Sequence, residues 1–126
     1  MKLRGGIAGN TLIYQFPILG STGDPFDLSS YTLRFTIKRS IQDSLAAAVY
    51  NASLGNGIGF AYTAQDGVVI VTIPSTVTAT MRIRRPYFWD LQLVKAFGNN
   101  QANVYTPYHG TISVLAPVSF NISSDS

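Results

Sequence analysis

The stretch Pro86-Tyr87-Phe88-Trp89-Asp90-Leu91-Gln92-Leu93-Val94-Lys95 decides the fold class of this chain. Its large apolar residues recur at every second position: Tyr87, Trp89, Leu91 and Leu93. Because alternate side chains of an extended chain point to opposite faces, these four share one face, and such residues favour a half-buried pleated surface. A polar turn at residues 96–101 and a second apolar run that ends at Leu115 follow. The sequence therefore predicts a β-hairpin.

The length and the N-terminus set the domain organisation. A chain of 126 residues has the size of one domain with a real core, so we predict a single β-sandwich domain over residues 1–126 with short flexible tails. Cysteine is absent, so neither a disulfide nor a thiolate metal site holds the fold. The first ten residues lack the apolar run of a signal peptide, and no stretch is apolar enough to span a bilayer. We expect a soluble protein that does not contact a membrane.

The composition favours strands over helices. Charged residues make up 12% of the chain, and all six acidic residues are Asp. Glu and Lys are common on helix surfaces, whereas the Thr, Ser, Asn and Gly used here are common on strand surfaces and in turns. The sequence therefore predicts an all-β domain. Its low surface charge suits a protein that neighbouring subunits cover.

Alternation and turn signals along the chain predict about seven strands. The strands before the hairpin are expected at about residues 10–19, 31–39, 47–51, 58–62 and 68–73. Pro17 predicts an edge strand, the Gln65-Asp66-Gly67 segment predicts a hairpin turn, and Ser75 is a candidate cap for one or two helical turns. Strands with one apolar and one polar face predict an immunoglobulin-like antiparallel β-sandwich, and a small β-barrel is the alternative.

The residue types that carry catalysis are scarce. The one histidine, His109, is expected to face outward on the last strand. Most aspartates lie in turns, but Asp90 lies within a strand, where we expect a cross-strand pair with Arg34, Lys38 or Lys95. The glycine-containing turns lack the phosphate-loop and dinucleotide spacings. We therefore predict no catalytic, metal-binding or cofactor-binding residues, and no enzymatic activity.

Two groups of residues are candidate contacts to a partner. Alternation from the buried positions of the hairpin places Phe88 and Tyr105 on its outward face, where exposed rings can anchor a protein or stack on a sugar. Arg82, Arg84 and Arg85 form the densest basic cluster. A net charge of +3 without a basic stripe falls short of a nucleic-acid-binding footprint, so nucleic acid is not an expected partner.

Several motifs together resemble a known family. They are Asp27-Leu28-Ser29-Ser30-Tyr31-Thr32-Leu33-Arg34, the Tyr87-Phe88-Trp89-Asp90-Leu91-Gln92-Leu93 strand, and Gly110-Thr111-Ile112-Ser113-Val114. In these motifs the chain resembles the small immunoglobulin-like virion domains of tailed bacteriophages and prophages, and it is similar to the N-terminal domain of phage baseplate upper proteins. The resemblance extends over nearly the whole chain. It implies a docking, decoration or adaptor module with no catalytic residues.

These observations and the resemblance lead to a functional expectation. We expect a non-enzymatic structural protein of a tailed phage particle, made in the host cytoplasm and located in the virion. It would act as a decoration, cement or adaptor module on the capsid, neck or baseplate, bind other virion proteins and be oligomeric in the assembly. The alternative is a carbohydrate-binding module for host or surface attachment, in which Phe88 or Tyr105 stacks on the sugar.

Overall fold

The computed structural model describes residue 3 and residues 5–20, 23–40, 42, 48–98 and 101–116. Seven strands lie in this part of the chain, which confirms the all-β prediction: β1 (Leu12–Pro17), β2 (Thr32–Lys38), β3 (Tyr50–Leu54), β4 (Gly57–Phe60), β5 (Val68–Ile73), β6 (Tyr87–Gly98) and β7 (Gln101–Ile112). A short 3-10 helix (Ala64–Asp66) lies between β4 and β5, and a one-turn helix, α1 (Ser75–Thr78), follows β5. The described residues include no helix long and apolar enough to cross a membrane.

The strands form one hydrogen-bonded sheet in the order β1-β5-β4-β3-β2-β6-β7. All neighbours are antiparallel except β3 and β4, which pair in parallel over the short register from Ser53↔Gly57 to Leu54↔Ile58. The turn between them needs glycine: Gly57 has a φ of +95°, and a Cβ there would overlap the Tyr50 hydroxyl. This short pairing joins two layers, β1-β5-β4 and β3-β2-β6-β7, into one curled sheet.

The core lies between the two layers, on the inner face of the curl. The Phe16 ring of β1 lies 5.5 Å from the Trp89 ring of β6 and 6.4 Å from the Phe35 ring of β2, measured between centroids. Residues with no exposed surface come from strands of both layers: Leu33, Phe35, Ile37, Val69, Val71, Ile73, Leu91 and Ile112. The Tyr108 hydroxyl of β7 donates to the Pro17 carbonyl of β1, so the two edge strands of the sheet meet.

The observed elements confirm much of the predicted pattern. The β5 strand has the predicted bounds, and β1, which ends at Pro17, is an edge strand. The first strand is shorter than predicted at both ends, since residues 10, 11, 18 and 19 lie outside β1. The predicted third strand begins outside the described residues, and β3 runs from Tyr50 to Leu54 instead. Asp43, Asn99, Asn100 and the tail from Asn121 also lie outside the described residues.

Of two predicted local details, the helix cap is wrong and the hairpin turn is confirmed. Ser75 is the first residue of α1 rather than its cap: the capping residue is Pro74, and it makes no side-chain cap hydrogen bond. The helix is instead tied down by Thr78, whose hydroxyl donates to the Asn10 carbonyl oxygen at 2.7 Å. The Gln65-Asp66-Gly67 segment lies in the turn of the antiparallel β4-β5 hairpin, as predicted. The turn contains one 3-10 turn, in which the Asp66 carboxylate accepts hydrogen bonds from the Thr63 amide and hydroxyl.

Candidate functional site

Asp90 occupies the centre of the outer face of the β2-β6-β7 region. The register places it directly opposite Thr36 of β2 on one side and His109 of β7 on the other. Trp89 and Leu91, its neighbours in the chain, face the core, so Asp90 points away from the core. His109 is exposed, as predicted. The outer face therefore carries a carboxylate between a hydroxyl and an imidazole.

Burial has the largest effect on the pKa of the Asp90 carboxyl. Burial raises the pKa of the half-buried Asp90 carboxyl, and the charges of Lys38, His109 and Arg34 lower this pKa by a smaller amount. Within the described residues, the carboxylate accepts no hydrogen bond and has no basic nitrogen within 4.0 Å. Lys38 and Arg34 therefore act on Asp90 at longer range than the predicted cross-strand pair requires. Lys95 does not pair with Asp90; its ammonium lies 5.6 Å from the centroid of the Tyr31 ring.

Thr36 contributes an unsatisfied polar group beside Asp90. The residue is only 3% exposed, and its hydroxyl oxygen is buried without a hydrogen-bond partner. A buried hydroxyl that makes no hydrogen bond costs about 1–3 kcal/mol, and most buried polar groups in folded proteins avoid this cost. Thr36 therefore weakens the fold at the point where it faces Asp90.

A cavity of about 450 Å³ lies on this outer face, and it has the size of pockets that bind small molecules. Its lining combines an aromatic ring, a carboxylate, basic groups and hydroxyls: Thr36, Lys38, Phe88, Trp89, Asp90, Thr106, His109, Gly110 and Thr111. We name it the outer-face cavity. Sequence reasoning singled out Phe88 but did not group it with Asp90, Thr36 and His109. An aspartate within an apolar strand was the available signal, and only the strand register identifies its neighbours.

The two predicted aromatic contacts lie on opposite faces of the hairpin. Phe88 is half-buried on the outer face, where it lines the outer-face cavity. Tyr105 pairs with Leu93, whose side chain is buried in the core, so Tyr105 shares the inner face. The prediction that Tyr105 shares the face of Phe88 is wrong, because a register shift between Leu91 and Leu93 adds one residue to β7 and reverses the alternation. Tyr105 nevertheless remains 49% exposed.

The basic cluster lies just before β6. Arg82, Arg84 and Arg85 are all exposed, as a contact role requires. The Arg84 amide donates to the Val114 carbonyl at 2.8 Å, and Arg84 has a φ of +64°, in the left-handed region that non-glycine residues rarely adopt. The loop that carries the three arginines is thus held against Val114, two residues after the end of β7. Tyr105 lies towards the other end of the hairpin, so the five predicted contact residues do not form one surface.

The β6-β7 hairpin extends beyond the rest of the sheet. The last pair between β2 and β6 is Thr32↔Val94, whereas β6 and β7 continue to pair from Lys95↔Asn103 to Gly98↔Gln101. In the described part of the chain no third strand pairs with residues 95–98 and 101–103, which we name the hairpin arm. Two exposed residues stand at its base: Val104 is 55% exposed and Tyr105 is 49% exposed. Within the described residues, the arm is therefore a two-stranded extension of the sheet.

A second cavity, of about 540 Å³, lies beside the β3-β4 turn. Its lining is mostly apolar or glycine, with the Tyr50 hydroxyl at one side. That hydroxyl already donates to the Thr72 carbonyl at 2.8 Å, and burial raises the Tyr50 pKa. Within the described residues, no group of three or more His, Cys, Asp or Glu side chains is placed to hold a metal ion. The outer-face cavity therefore combines more chemical groups than the second cavity.

Comparisons with known proteins bear on the fold alone. No protein-family model matches the chain, and no curated protein matches it. Among solved structures, the chain is similar to one described as "Marsupial T cell receptor", with a TM-score of 0.54 and 10% sequence identity. The match covers 88% of this chain and 31% of that chain. The chain thus has an immunoglobulin-like β fold, as predicted from its sequence.

Proposed function

We propose that this protein is a non-enzymatic attachment module of a tailed-phage particle, acting as a decoration, cement or adaptor protein on the capsid, neck or baseplate. The phage context rests on the resemblance of three strand and turn motifs to virion domains. The immunoglobulin-like fold is compatible with this role but does not select it, because one fold serves many functions. The attachment role itself rests on the hairpin arm.

The hairpin arm supports attachment for a geometric reason. A two-stranded ribbon with no third strand beside it leaves backbone groups available on both outer edges, within the described residues. A partner strand can pair with such an edge, and exposed apolar side chains beside it can add contact area. Val104 and Tyr105 supply that area at the base of the arm. We therefore assign the partner contact to the arm and to these two residues.

Incorporation into particles tests this proposal. The gene would be deleted from the phage or prophage that carries it and supplied from a plasmid, and purified particles would be analysed by mass spectrometry. We expect the wild-type chain in particles and a reduced amount of a variant that combines Val104→Ser with Tyr105→Ala. The matched control is Tyr62→Ala, because Tyr62 is 75% exposed but lies on the loop after β4.

Two results would contradict the proposal. Consistent absence of the wild-type chain from purified particles would exclude a virion role. Equal incorporation of the wild type and of the Val104 and Tyr105 variant would exclude the arm base as the contact. Crosslinking of intact particles followed by peptide mapping would then identify the surface that is used, with the exposed residues Arg82, Arg84 and Arg85 as the next candidates.

A carbohydrate-binding module remains the second candidate function. The observation that favours it is the position of Phe88 at the wall of the outer-face cavity, beside the Asp90 carboxylate. Tyr105 no longer supports this candidate, because it lies on the other face of the hairpin.

A further inference from the structure

We propose that the outer-face cavity is a binding site for a neutral saccharide, with Phe88 as the stacking surface and Asp90 as the main hydrogen-bond acceptor. The cavity lies on the outer face of β2, β6 and β7, away from the core. This site is separate from the hairpin arm and does not depend on the attachment proposed above. A particle protein can hold a saccharide on this face while the arm contacts its partner.

Phe88 supplies the apolar surface that a sugar ring needs. One face of a sugar ring carries C–H groups, which pack against an aromatic ring whose partly exposed surface is otherwise in contact with water. Phe88 is half-buried and therefore held in place, and it lies opposite Lys38 on β2 and Thr111 on β7, which also line the cavity. The ring thus forms one wall of a concave site rather than an isolated patch.

Asp90 supplies hydrogen-bonding capacity that the protein itself does not use. Among the described residues, the Asp90 carboxylate accepts no hydrogen bond. It is half-buried and lines the cavity beside Phe88. A carboxylate can accept bonds from two hydroxyl groups at once. A ligand with adjacent hydroxyl groups matches the two oxygens of this carboxylate.

The cavity carries charges of both signs, which suits a neutral ligand that both donates and accepts hydrogen bonds. Lys38, His109 and Arg34 act electrostatically on the Asp90 carboxylate. A cationic ligand would be attracted by Asp90 but repelled by these groups, and an anionic ligand would meet the Asp90 carboxylate itself. A neutral polyhydroxylated ring avoids both penalties. It also accepts hydrogen bonds from the Lys38 and His109 nitrogens.

The chain contains a built-in reporter of this site. Trp89 is the single tryptophan of the protein, and it lines the outer-face cavity. Its indole N–H donates to the Thr111 carbonyl at 3.1 Å, and Thr111 lines the cavity as well. The indole itself packs on the core side of β6, so a ligand acts on it through Thr111: a shift of the Thr111 carbonyl on occupancy changes the indole N–H signal in NMR.

The experiment is a glycan array of bacterial surface saccharides, followed by titration of the full chain with the best hit and with glucose, galactose and N-acetylglucosamine. We expect saturable binding with a change in the Trp89 signal. Phe88→Ala and Asp90→Asn should each weaken binding by about tenfold or more, because each removes a principal contact. The matched aromatic control is Tyr62→Ala, which should bind like the wild type because Tyr62 is 75% exposed on the loop after β4. Tyr105→Ala is added to test the inner face.

Folding and ligand source are controlled separately. Circular dichroism and thermal unfolding of each variant confirm that lost binding does not reflect an unfolded chain, and Asp90→Asn keeps the size of the side chain. Titration with free monosaccharides and with the intact polysaccharide that contains the hit distinguishes a free sugar from a surface glycan. Binding of either form with the stated variant effects supports the proposal.

Three outcomes would overturn it. One is the absence of saturable binding to any saccharide on the array. Another is binding that Tyr105→Ala abolishes and Phe88→Ala leaves unchanged, which would move the site to the other face. The third is preferential binding of N-acetyl-lysine methylamide, a cationic probe, which would make the cavity a pocket for a basic side chain. None of these outcomes bears on incorporation into particles, so the two proposals fail independently.

Discussion

The two faces of the β2-β6 pair belong to the same strands but differ in the burial and hydrogen bonding of their side chains. On the inner face, Phe35 pairs with Leu91, and neither residue has exposed surface. One position along, on the outer face, Thr36 pairs with Asp90, which leaves a hydroxyl without a partner and a half-buried carboxylate with a raised pKa. The inner face is thus optimised for packing, whereas the outer face retains polar groups that lower stability. Such a contrast is typical of a surface kept for binding.

The largest expected effect breaks the inner face. Phe35→Ala removes a fully buried ring that packs against Phe16 and Trp89, so we expect the free energy of unfolding to fall by about 3–5 kcal/mol. Urea unfolding followed by Trp89 fluorescence measures this change. Ile13→Ala is the control, because Ile13 is 66% exposed and its truncation should change stability by less than about 0.5 kcal/mol. Equal effects of the two substitutions would contradict the assigned core.

The next prediction concerns the hydrogen bond that links the two edge strands, β1 and β7. Tyr108→Phe removes the hydroxyl that donates to the Pro17 carbonyl and links the two edge strands, so we expect a loss of about 1 kcal/mol. The ring itself stays packed 5.1 Å from the Phe16 ring, so the fold should be retained. Thermal unfolding compares this variant with Tyr62→Phe. Because Tyr62 is 75% exposed, loss of its hydroxyl should leave the melting temperature unchanged. An unchanged melting temperature for Tyr108→Phe would show that this link contributes nothing.

On the outer face we expect a substitution to raise the stability of the fold rather than to lower it. Thr36→Val replaces a buried, unpartnered hydroxyl by a methyl group of similar shape, so we expect stability to rise by about 1 kcal/mol. Thr32→Val is the matched control, since Thr32 lies on the same strand and is exposed. A loss of stability in Thr36→Val would show that the hydroxyl is bonded and would remove the contrast between the faces.

The smallest expected effect depends on pH. Folding raises the pKa of Asp90, so the folded state binds a proton more tightly than the unfolded state, and the ionised carboxylate lowers stability at neutral pH. This penalty disappears as the pH falls below the raised pKa. Asp90→Asn should therefore raise the melting temperature slightly at neutral pH, and this gain should shrink to nothing in acid.

Asp27 differs from Asp90 in that folding lowers its pKa, so the same measurement should give the opposite result. Hydrogen bonds from the Ser29 hydroxyl and amide lower the Asp27 pKa, so its contribution to stability is present above the unfolded-state pKa and is lost as the pH falls through the lower, folded-state value. Asp27→Asn should therefore lower the melting temperature at neutral pH and have no effect in acid. Melting temperatures of Asp90→Asn and Asp27→Asn, measured from neutral to acid pH, test both predictions together. A change of the same direction in both variants at neutral pH would contradict the burial of Asp90.

The alternation of apolar residues predicted which strands exist and which residues form the core. Leu33, Phe35, Trp89 and Leu91 all lie on the inner face because a period of two leaves a strand only one way to bury them. The prediction for Tyr105 was wrong for the same physical reason. One extra residue in β7 reverses the positions between the bulge and the turn. Pro107 lies in this bulge, and proline within a strand is the one sequence signal that marks it.

The sequence by itself determined an all-β domain, its apolar face and the unusual position of Asp90, because these depend on local chemistry and on the period of an extended chain. Only the tertiary structure decided that Thr36 and His109 flank Asp90, that Phe88 completes a cavity there, and that the hairpin arm extends past β2. Strand order and register join residues that are more than fifty positions apart. They depend on how the whole sheet curls around its core, and local patterns do not encode them.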